Sequence, residues 1–446
     1  MNKKYLNTLI ALAVLAGLWG AFTYFGRKKS AKAAKSATAA GQKIFPVARG
    51  HITSFTFKPQ DGEAVTCARQ GSAWVITEPR KLATDSSTLD GFLKSLTSAS
   101  ASEVVAEHPV SLKDFGLDPP QETIEISTDQ KPAKFTLLMG SSTPTNQGFY
   151  AQVGGHERVI MLASSLKDSL EKSLFDLRNK SVVTLESGQV DHLAATLKSG
   201  SYTLVKNPEG VWDLMLPPAV RADRFTVEGL VDELGSASMK SIVEESKKDL
   251  GKYGFSNPTL TLHLSGPGGR QTLVVGKKSG DQYYAMNTAL DPVFTLGSDF
   301  LNQFQKSASD LRSKDLFTYS TFEVNKVVVD GPGGRRVFEQ NKNNKWSETS
   351  PANKMEPGPK LETLIDNLRD LSATSFPKKN PTDLAAYGLI KPLYTFQVQS
   401  GKQNKTQTVE VAKAGGHIYA RRSSDLVPAE VSEKALSAVE EALGAL

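Results

Sequence analysis

The stretch LKDFGLDPP at positions 112–120 decides the fold, because its pattern recurs twice along the chain. The second copy is LGKYGFSNP at 250–258 and the third is LAAYGLIKP at 384–392, so the successive offsets are 138 and 134 residues. The shared pattern, Leu-x-x-aromatic-Gly-apolar-x-x-Pro, is called the signature below and comprises Leu112, Phe115, Gly116, Leu117, Pro120, Leu250, Tyr253, Gly254, Phe255, Pro258, Leu384, Tyr387, Gly388, Leu389 and Pro392. Three tryptophans repeat with the same offsets, namely Trp74, Trp212 and Trp346. The chain is therefore predicted to be a triplicated domain.

The signature has the residues of a short helix with a defined end. Its Leu and its aromatic residue are three positions apart, which places them on one helical face. The following Gly can adopt the left-handed conformation that closes a helix, and the apolar residue after it can pack back. The final Pro prevents the helix from continuing. These features favour a structural role over a binding role.

The pattern between the signatures predicts an α+β fold. Alternating apolar residues precede each tryptophan, an amphipathic helix containing Phe92, Leu93 and Leu96 follows in the first copy, and further strands follow the signature. We predict closing helices at residues 162–177, 298–311 and 429–443. Strands and helices without regular βαβ alternation indicate antiparallel sheets with two or three short helices in each repeat of about 130 residues. The predicted repeat domains are 47–184, 185–319 and 320–446.

The N-terminal segment is predicted to anchor the protein in a membrane. Residues 6–25 carry no charge and are long enough to span a bilayer as a helix. We assign 1–26 to one transmembrane helix and the Ala-, Ser- and Lys-rich residues 27–46 to a tether. A cleaved signal peptide is the alternative. Basic residues flank the span on both sides, so the charge rule favours a cytoplasmic body, whereas the export-like N-terminus favours the extracytoplasmic body that we expect.

The charge distribution argues against a nucleic-acid partner. The formal charge is +6, but the first 50 residues contain nine basic residues and no acid, so the remainder is slightly acidic. The basic charge therefore belongs to the N-terminal flank and is no footprint for nucleic acid. Cys67 is the only cysteine, which excludes an internal disulfide and cysteine-based metal sites.

No motif in the chain predicts catalysis, a cofactor or a metal. The two Gly-Pro-Gly-Gly-Arg stretches, at 266–270 and 331–335, lack the Gly-Lys-Ser/Thr ending of a phosphate loop and are predicted to be hairpin turns. The six histidines lack the i, i+4 spacing of a helical metal site. We therefore predict a protein that is not an enzyme and has no catalytic, cofactor-binding or metal-binding residues.

The chain resembles the bacterial domain of unknown function 4340 family. The resemblance is carried best by residues 250–286, where the signature precedes Thr-Leu-Thr-Leu, a strand ending in Val-Gly-Lys, and Tyr-Tyr-Ala. The first and third repeats depart from Val-Gly-Lys, with Met139-Gly140 and Val411-Ala412. The resemblance implies a membrane-anchored protein of the bacterial cell envelope, associated as an auxiliary component with ABC transporters similar to the gliding-motility type. It supplies no catalytic residues.

Three functional hypotheses follow. The first is a non-enzymatic scaffold or auxiliary subunit of an ABC-type transport complex in the bacterial inner membrane, with the membrane and protein subunits as partners. The second is a module that binds envelope polysaccharide or peptidoglycan, for which the candidate contacts are the repeated tyrosines Tyr150, Tyr284 and Tyr419. The third is a hydrolase with a composite site between repeats. A structure with only shallow surfaces between repeats would argue against this third hypothesis.

Overall fold

The structure is a computed structural model that describes residues 41, 43–351, 357–377 and 382–446. The predicted transmembrane helix and most of the predicted tether lie outside these residues. Among the residues described, no helix is both long enough and apolar enough to cross a membrane. The described part of the chain folds into three antiparallel sheets with eight α-helices, which confirms an α+β protein built from repeats.

The first repeat has a nine-stranded sheet and three α-helices. Its strands are β1 (Ile52–Pro59), β2 (Val65–Gln70), β3 (Ala73–Glu78), β4 (Leu82–Ala83), β5 (Glu103–Ala106), β6 (Glu122–Thr128), β7 (Lys134–Ser142), β8 (Gly148–Val153) and β9 (Val159–Ala163). Its α-helices are α1 (Ser86–Ser98), α2 (Ser164–Leu170) and α3 (Leu174–Leu177), and its 3-10 helices are Arg49–His51 and Lys113–Phe115.

The second repeat has the same elements in the same order. Its strands are β10 (His192–Leu197), β11 (Gly200–Lys206), β12 (Trp212–Leu214), β13 (Val220–Arg221), β14 (Ser241–Glu244), β15 (Leu260–Gly266), β16 (Gly269–Ser279), β17 (Gln282–Asn287) and β18 (Val293–Gly297). Its α-helices are α4 (Arg224–Ser236), α5 (Ser298–Phe304) and α6 (Ala308–Leu311), and its 3-10 helices are Ser187–Gln189 and Leu250–Tyr253.

The third repeat has an eight-stranded sheet within its described residues. Its strands are β19 (Val324–Gly331), β20 (Gly334–Gln340), β21 (Trp346–Ser350), β22 (Ala373–Ser375), β23 (Tyr394–Ser400), β24 (Lys405–Ala414), β25 (His417–Arg422) and β26 (Ala429–Val431). Its helices are α7 (Pro359–Arg369), α8 (Glu433–Gly444) and the 3-10 helix Thr321–Glu323.

The strand order shows how each repeat is wound. The first sheet has the order β4-β3-β2-β1-β6-β7-β8-β9-β5, and the second sheet repeats it with β10 in the place of β1. Helix α1 leaves the β4 edge and leads to β5 at the opposite edge, so it crosses one face of the sheet. Its N-terminus is capped by Asp85, whose carboxylate accepts from the Thr88 N–H at 2.8 Å. Asp223 caps α4 in the same way through Thr226.

Each core lies between the helices and one face of its sheet. In the first repeat Phe92 of α1 packs on Phe55 and Phe57 of β1, with ring centroids 4.8 Å apart in both pairs. All three rings are almost fully buried. Burial of a phenylalanine side chain contributes roughly 1.5–3 kcal/mol, so this cluster explains why the apolar spacing of the helix is required.

The predicted closing helices are wrong in their extent. In the first repeat residues 159–163 form a strand, so the helix begins at Ser164, whereas the helix of the second repeat begins at Ser298 as predicted. Both helices are divided into two short pieces. Residues 429–431 also form a strand, so the last helix begins only at Glu433. The division occurs because Ser173 and Ser307 start a new turn, where each exchanges capping hydrogen bonds with the Asp three residues later.

Each folded repeat begins several residues before the predicted boundary. Isolated antiparallel bridges join Lys43 to Ser100, Ser181 to Ser238 and Asp315 to Ser372, with the same offsets as the signature. Phe45, assigned above to the tether, is only 2% exposed and belongs to the first core. The chain divides into two compact units, one ending at Lys180 and one comprising Ser181–Leu446. The second and third repeats therefore share one unit.

Candidate functional site

The signature covers the face of the sheet opposite the helices. Its glycines have positive φ angles, 65° at Gly116, 80° at Gly254 and 70° at Gly388, as predicted for a helix-closing residue. In the first two copies the preceding residues form a 3-10 helix. Side chains alternate across a strand, and Ala151 lies in the core, so Tyr150 points to the opposite face, where it meets the signature.

The repeated tyrosines contact the aromatic residue of the signature in every repeat. The ring centroids are 5.0 Å apart for Phe115 and Tyr150, 4.9 Å for Tyr253 and Tyr284, and 4.8 Å for Tyr387 and Tyr419. Such geometry is typical of favourable aromatic pairs. The three candidate binding residues are half-buried and use part of each ring for this contact.

The three tryptophans lie at or next to the start of the third strand of their sheets. Trp74 packs on Phe55 with centroids 5.3 Å apart, and Trp346 packs against the third core. Trp212 is 6% exposed, and the ammonium of Lys206 lies 5.1 Å from its ring centroid. The structure therefore places these residues in the cores and, for Trp212 alone, at the edge of a cleft.

A cleft of about 1380 Å³ opens between the second and third repeats. We call it the inter-repeat cleft. One wall comes from β12, β13 and the first turns of α4, and the other comes from residues 313–319 and the end of α7. Its side chains include Trp212, Arg221, Phe225, Phe317, Tyr319 and Arg369. Neither repeat alone encloses the cleft.

The aromatic residues of the inter-repeat cleft differ in their exposure. Phe317 is 2% exposed, and Tyr319 is buried and donates from its hydroxyl to the Ile365 carbonyl at 2.8 Å. Phe225, by contrast, is 78% exposed on the first turn of α4. The equivalent position in the first repeat is Ser87, so repeat architecture does not require a phenylalanine there. Phe225 is the aromatic side chain of this cleft that is available to a partner.

Many charged side chains of the cleft already have partners. Arg224 Nε lies 2.8 Å from Glu228 Oε1, and Arg369 Nε lies 2.9 Å from Asp370 Oδ1. Asp223 accepts the capping hydrogen bond of α4. The rim is therefore a mixed-charge surface in which Arg224 and Arg369 each have a neighbouring carboxylate.

A smaller hollow of about 350 Å³ adjoins the cleft and shares Arg221 with it. We call it the arginine pocket. Three elements supply its guanidinium groups: Arg221 from β13, Arg312 from the end of α6, and Arg422 from the end of β25. Arg421, Lys314 and the carboxylates of Asp213, Asp315 and Asp425 complete its charged lining, together with Glu209.

Burial perturbs two of the three arginines. It lowers the pKa of Arg312 to about 10, against a smaller opposing effect of Asp425. Burial, followed by repulsion from Arg221, likewise lowers the pKa of Arg422 to about 10. Both side chains remain charged at neutral pH, so the pocket holds positive charge in surroundings that solvate it poorly.

The connecting segment, residues 312–315, contributes to the lining of both hollows. It pairs with the second repeat through Arg312 and Ala222, and with the third repeat through Asp315 and Ser372. The Ser313 N–H donates to the Arg221 carbonyl at 3.0 Å, and Arg422 Nη2 donates to the Asp315 carbonyl at 2.8 Å. The backbone that joins the repeats thus holds the site together.

Sequence reasoning missed both hollows, because their residues come from two repeats and follow no repeated pattern. One usable signal was the pair of sequences Asp176-Leu177-Arg178 and Asp310-Leu311-Arg312, in which the Asp completes a helix cap and the Leu is buried. Hydrogen bonds from Ser307 hold the pKa of Asp310 below its usual range. The second signal was a difference between repeats, because Arg221 stands at the position where the first repeat has Ala83.

The comparisons with known proteins concern the family alone. Among the described residues, no group of three or more His, Cys, Asp or Glu side chains is placed to hold a metal ion. A search of curated proteins found no match. The family described as domain of unknown function (DUF4340) matches residues 74–215 and 212–392, more than half of the sequence. Each segment starts at a repeated tryptophan. The chain therefore belongs to the DUF4340 family and contains tandem copies of its domain.

Proposed function

We propose that this protein is a non-enzymatic, membrane-anchored scaffold or auxiliary subunit that holds a protein partner in the inter-repeat cleft. The observation that carries the proposal is Phe225, a phenylalanine that is 78% exposed on the wall of a cleft of about 1380 Å³. Exposed aromatic side chains next to arginines, with a polar rim around them, are typical of protein interfaces.

The uncharged segment 6–25 supports a membrane location. The export-like N-terminus favours a body on the extracytoplasmic side of the bacterial inner membrane. The resemblance described above makes an ABC-type transport complex the partner to test first. Tandem repeats joined in one chain also suit a scaffold, because every added repeat extends the surface that a partner can contact.

The proposal is tested with tagged full-length protein, expressed at native level, extracted in mild detergent and analysed by mass spectrometry. We expect stoichiometric recovery of ABC permease or ATPase subunits. The Phe225→Ser variant, which takes the residue of the first repeat, should lose those subunits. Phe322→Ser is the matched control, because Phe322 is 98% exposed but does not line the cleft. Recovery of the protein alone would contradict the proposal.

Binding of an envelope polymer remains the second candidate. The observation that favours it is the recurrence of one half-exposed tyrosine in all three repeats, which permits avidity. A pulldown with peptidoglycan and with envelope polysaccharide distinguishes the two candidates. Loss of polymer binding in a folded Tyr284→Ala variant would transfer the functional assignment from the cleft to the tyrosines.

A further inference from the structure

The arginine pocket holds more positive charge than the fold requires. Arg422 is 5% exposed and donates to the Asp315 carbonyl, which fixes the connecting segment. In the second repeat the equivalent residue is Asn287, whose Nδ2 donates to the Val182 carbonyl at 2.8 Å. A neutral amide therefore performs the same structural task. The charge on Arg422 is not needed to hold the segment.

Two further guanidinium groups of the pocket have no carboxylate of the described residues in direct contact. In the part of the chain that the structure describes, neither Arg221 nor Arg312 forms an ion pair or a side-chain hydrogen bond. Arg312 instead lies over the ring of Phe376, with its guanidinium carbon 3.6 Å from the ring centroid. A partly buried cation without a hydrogen-bonded anion is costly, so such a group favours binding of an anion.

Among the described residues, the carboxylates around the pocket form no ion pair with Arg221, Arg312 or Arg422. Asp213 Oδ2 accepts from Asn207, and Asp425 Oδ1 accepts from Ser424. Asp315 is exposed. Arg421 is already neutralised, because its Nε lies 2.8 Å from Glu410 Oε2. Asp425 attracts Arg312 and Arg422, and Asp315 attracts Arg422, but within the described residues none of Arg221, Arg312 and Arg422 has a directly bound carboxylate.

We propose that the arginine pocket binds a small oxyanion-bearing ligand, a phosphate ester or a polycarboxylate, between the second and third repeats. Guanidinium groups bind both kinds of oxyanion through paired, charge-assisted hydrogen bonds. A hollow of about 350 Å³ has room for a compact ligand of this kind. Because the three arginines come from both repeats and from the segment between them, the bound anion would also stabilise the junction.

The test measures thermal unfolding of the full-length protein in mild detergent by tryptophan fluorescence, with added inorganic phosphate, citrate or chloride at equal ionic strength. We expect a saturable rise in the unfolding midpoint with phosphate, citrate or both, beyond the effect of chloride. Response to phosphate alone identifies a site for phosphate esters, and response to citrate alone identifies a site for polycarboxylates. No rise beyond chloride overturns the proposal.

Variants locate the effect. Arg221→Ala takes the residue that the first repeat carries at this position, Ala83, and should weaken apparent binding roughly tenfold or more, since a hydrogen bond to a charged group is lost. Arg312→Gln should act in the same direction. Arg224→Gln is the control, because Arg224 is exposed and paired with Glu228. Equal binding by all three variants and the wild type would overturn the proposal, and circular dichroism checks that each variant is folded.

Discussion

Gly276 lies against the carbonyl oxygen of Tyr253, so closely that a β-carbon on Gly276 would come within 2.2 Å of that oxygen. Gly140 and Phe115 have the same relationship in the first repeat, also at 2.2 Å. In both sheets the pairing register shifts at this glycine, as at a β-bulge. The middle glycine of Val-Gly-Lys is therefore required because the signature backbone rests directly on the strand.

The third repeat has no glycine at the position of Gly140 and Gly276. Ala412 replaces the glycine, and its strand pairs with β25 in regular register through Tyr419. Ala412 packs with Tyr387 and Leu389 in a small separate cluster, and a hollow of about 640 Å³ lies beside Gly388. The departure from the family pattern noted in the sequence thus coincides with regular strand pairing and with a hollow beside the signature.

We predict that Gly276→Ala destabilises the second repeat by about 1–3 kcal/mol, because overpacking forces the signature away from the sheet. Gly251→Ala is the matched control within the signature, since a β-carbon there would meet no atom within 4 Å. Urea unfolding followed by tryptophan fluorescence measures both variants. Equal stability of the two variants would show that the signature does not depend on this close approach.

We predict that Tyr284→Ala destabilises the second repeat by about 2 kcal/mol, because it removes the aromatic contact with Tyr253. Tyr284→Phe should cost less than about 1 kcal/mol, since it retains the ring and loses only the hydrogen bond from Ser279 at 3.1 Å. Denaturation curves of both variants check this. A fully stable Tyr284→Ala variant would refute a packing role.

A buried polar network holds the segment that enters the second repeat. Asn287 is fully buried and donates to Val182 O and to Gln271 Oε1, and the latter also accepts from the Thr184 N–H. We predict that Asn287→Ala costs about 2–4 kcal/mol, because it leaves the buried Val182 carbonyl without its donor and removes one of two hydrogen bonds to Gln271 Oε1. Asn257→Ala, at an exposed position, should be nearly neutral. Hydrogen exchange at the amides of residues 182–184 should increase only in the first variant.

The buried carboxyl of Glu122 should make the stability of the first repeat depend on pH. Burial, followed by repulsion from Glu171, raises its pKa to about 7 from the ordinary 4.5. Between these pH values the folded state binds more protons than the unfolded state, so the free energy of unfolding falls as pH rises. The stability that results from proton binding to Glu122 is fully present below about pH 4.5 and is lost above about pH 7. We predict that Glu122→Gln removes this slope and stabilises the protein at pH 8 by about 1–3 kcal/mol.

The control for Glu122 is Glu125→Gln, because Glu125 is exposed and paired with Lys58. Its unfolding midpoint should follow the wild-type pH dependence from pH 4 to 8. The equivalent of Glu122 is Leu260 in the second repeat and Tyr394 in the third, so an uncharged residue is compatible with this position. An unchanged slope in Glu122→Gln would assign the pH dependence to another group.

Local chemistry explains what could be predicted from the sequence. The helix-closing glycines and the two Gly-Pro-Gly-Gly-Arg hairpin turns were predicted correctly, because a few adjacent residues determine each of them. The closing helices of the first and third repeats were predicted to start too early, since the apolar residues of β9 and β26 do not by themselves distinguish a short strand from a helix. The arginine pocket could not be predicted from the sequence, because only the tertiary fold brings Arg221, Arg312 and Arg422 together.

The bridges at the two ends of each repeat have a consequence for the history of the chain. A repeat receives its incoming backbone beside Ser100, Ser238 or Ser372, and in the first two repeats the outgoing backbone leaves beside Thr84 or Ala222. The backbone therefore enters and leaves successive repeats at equivalent positions. In-frame duplication or loss of one whole repeat would preserve both kinds of pairing, so the length of this protein can change by whole repeats while each junction keeps its bridges.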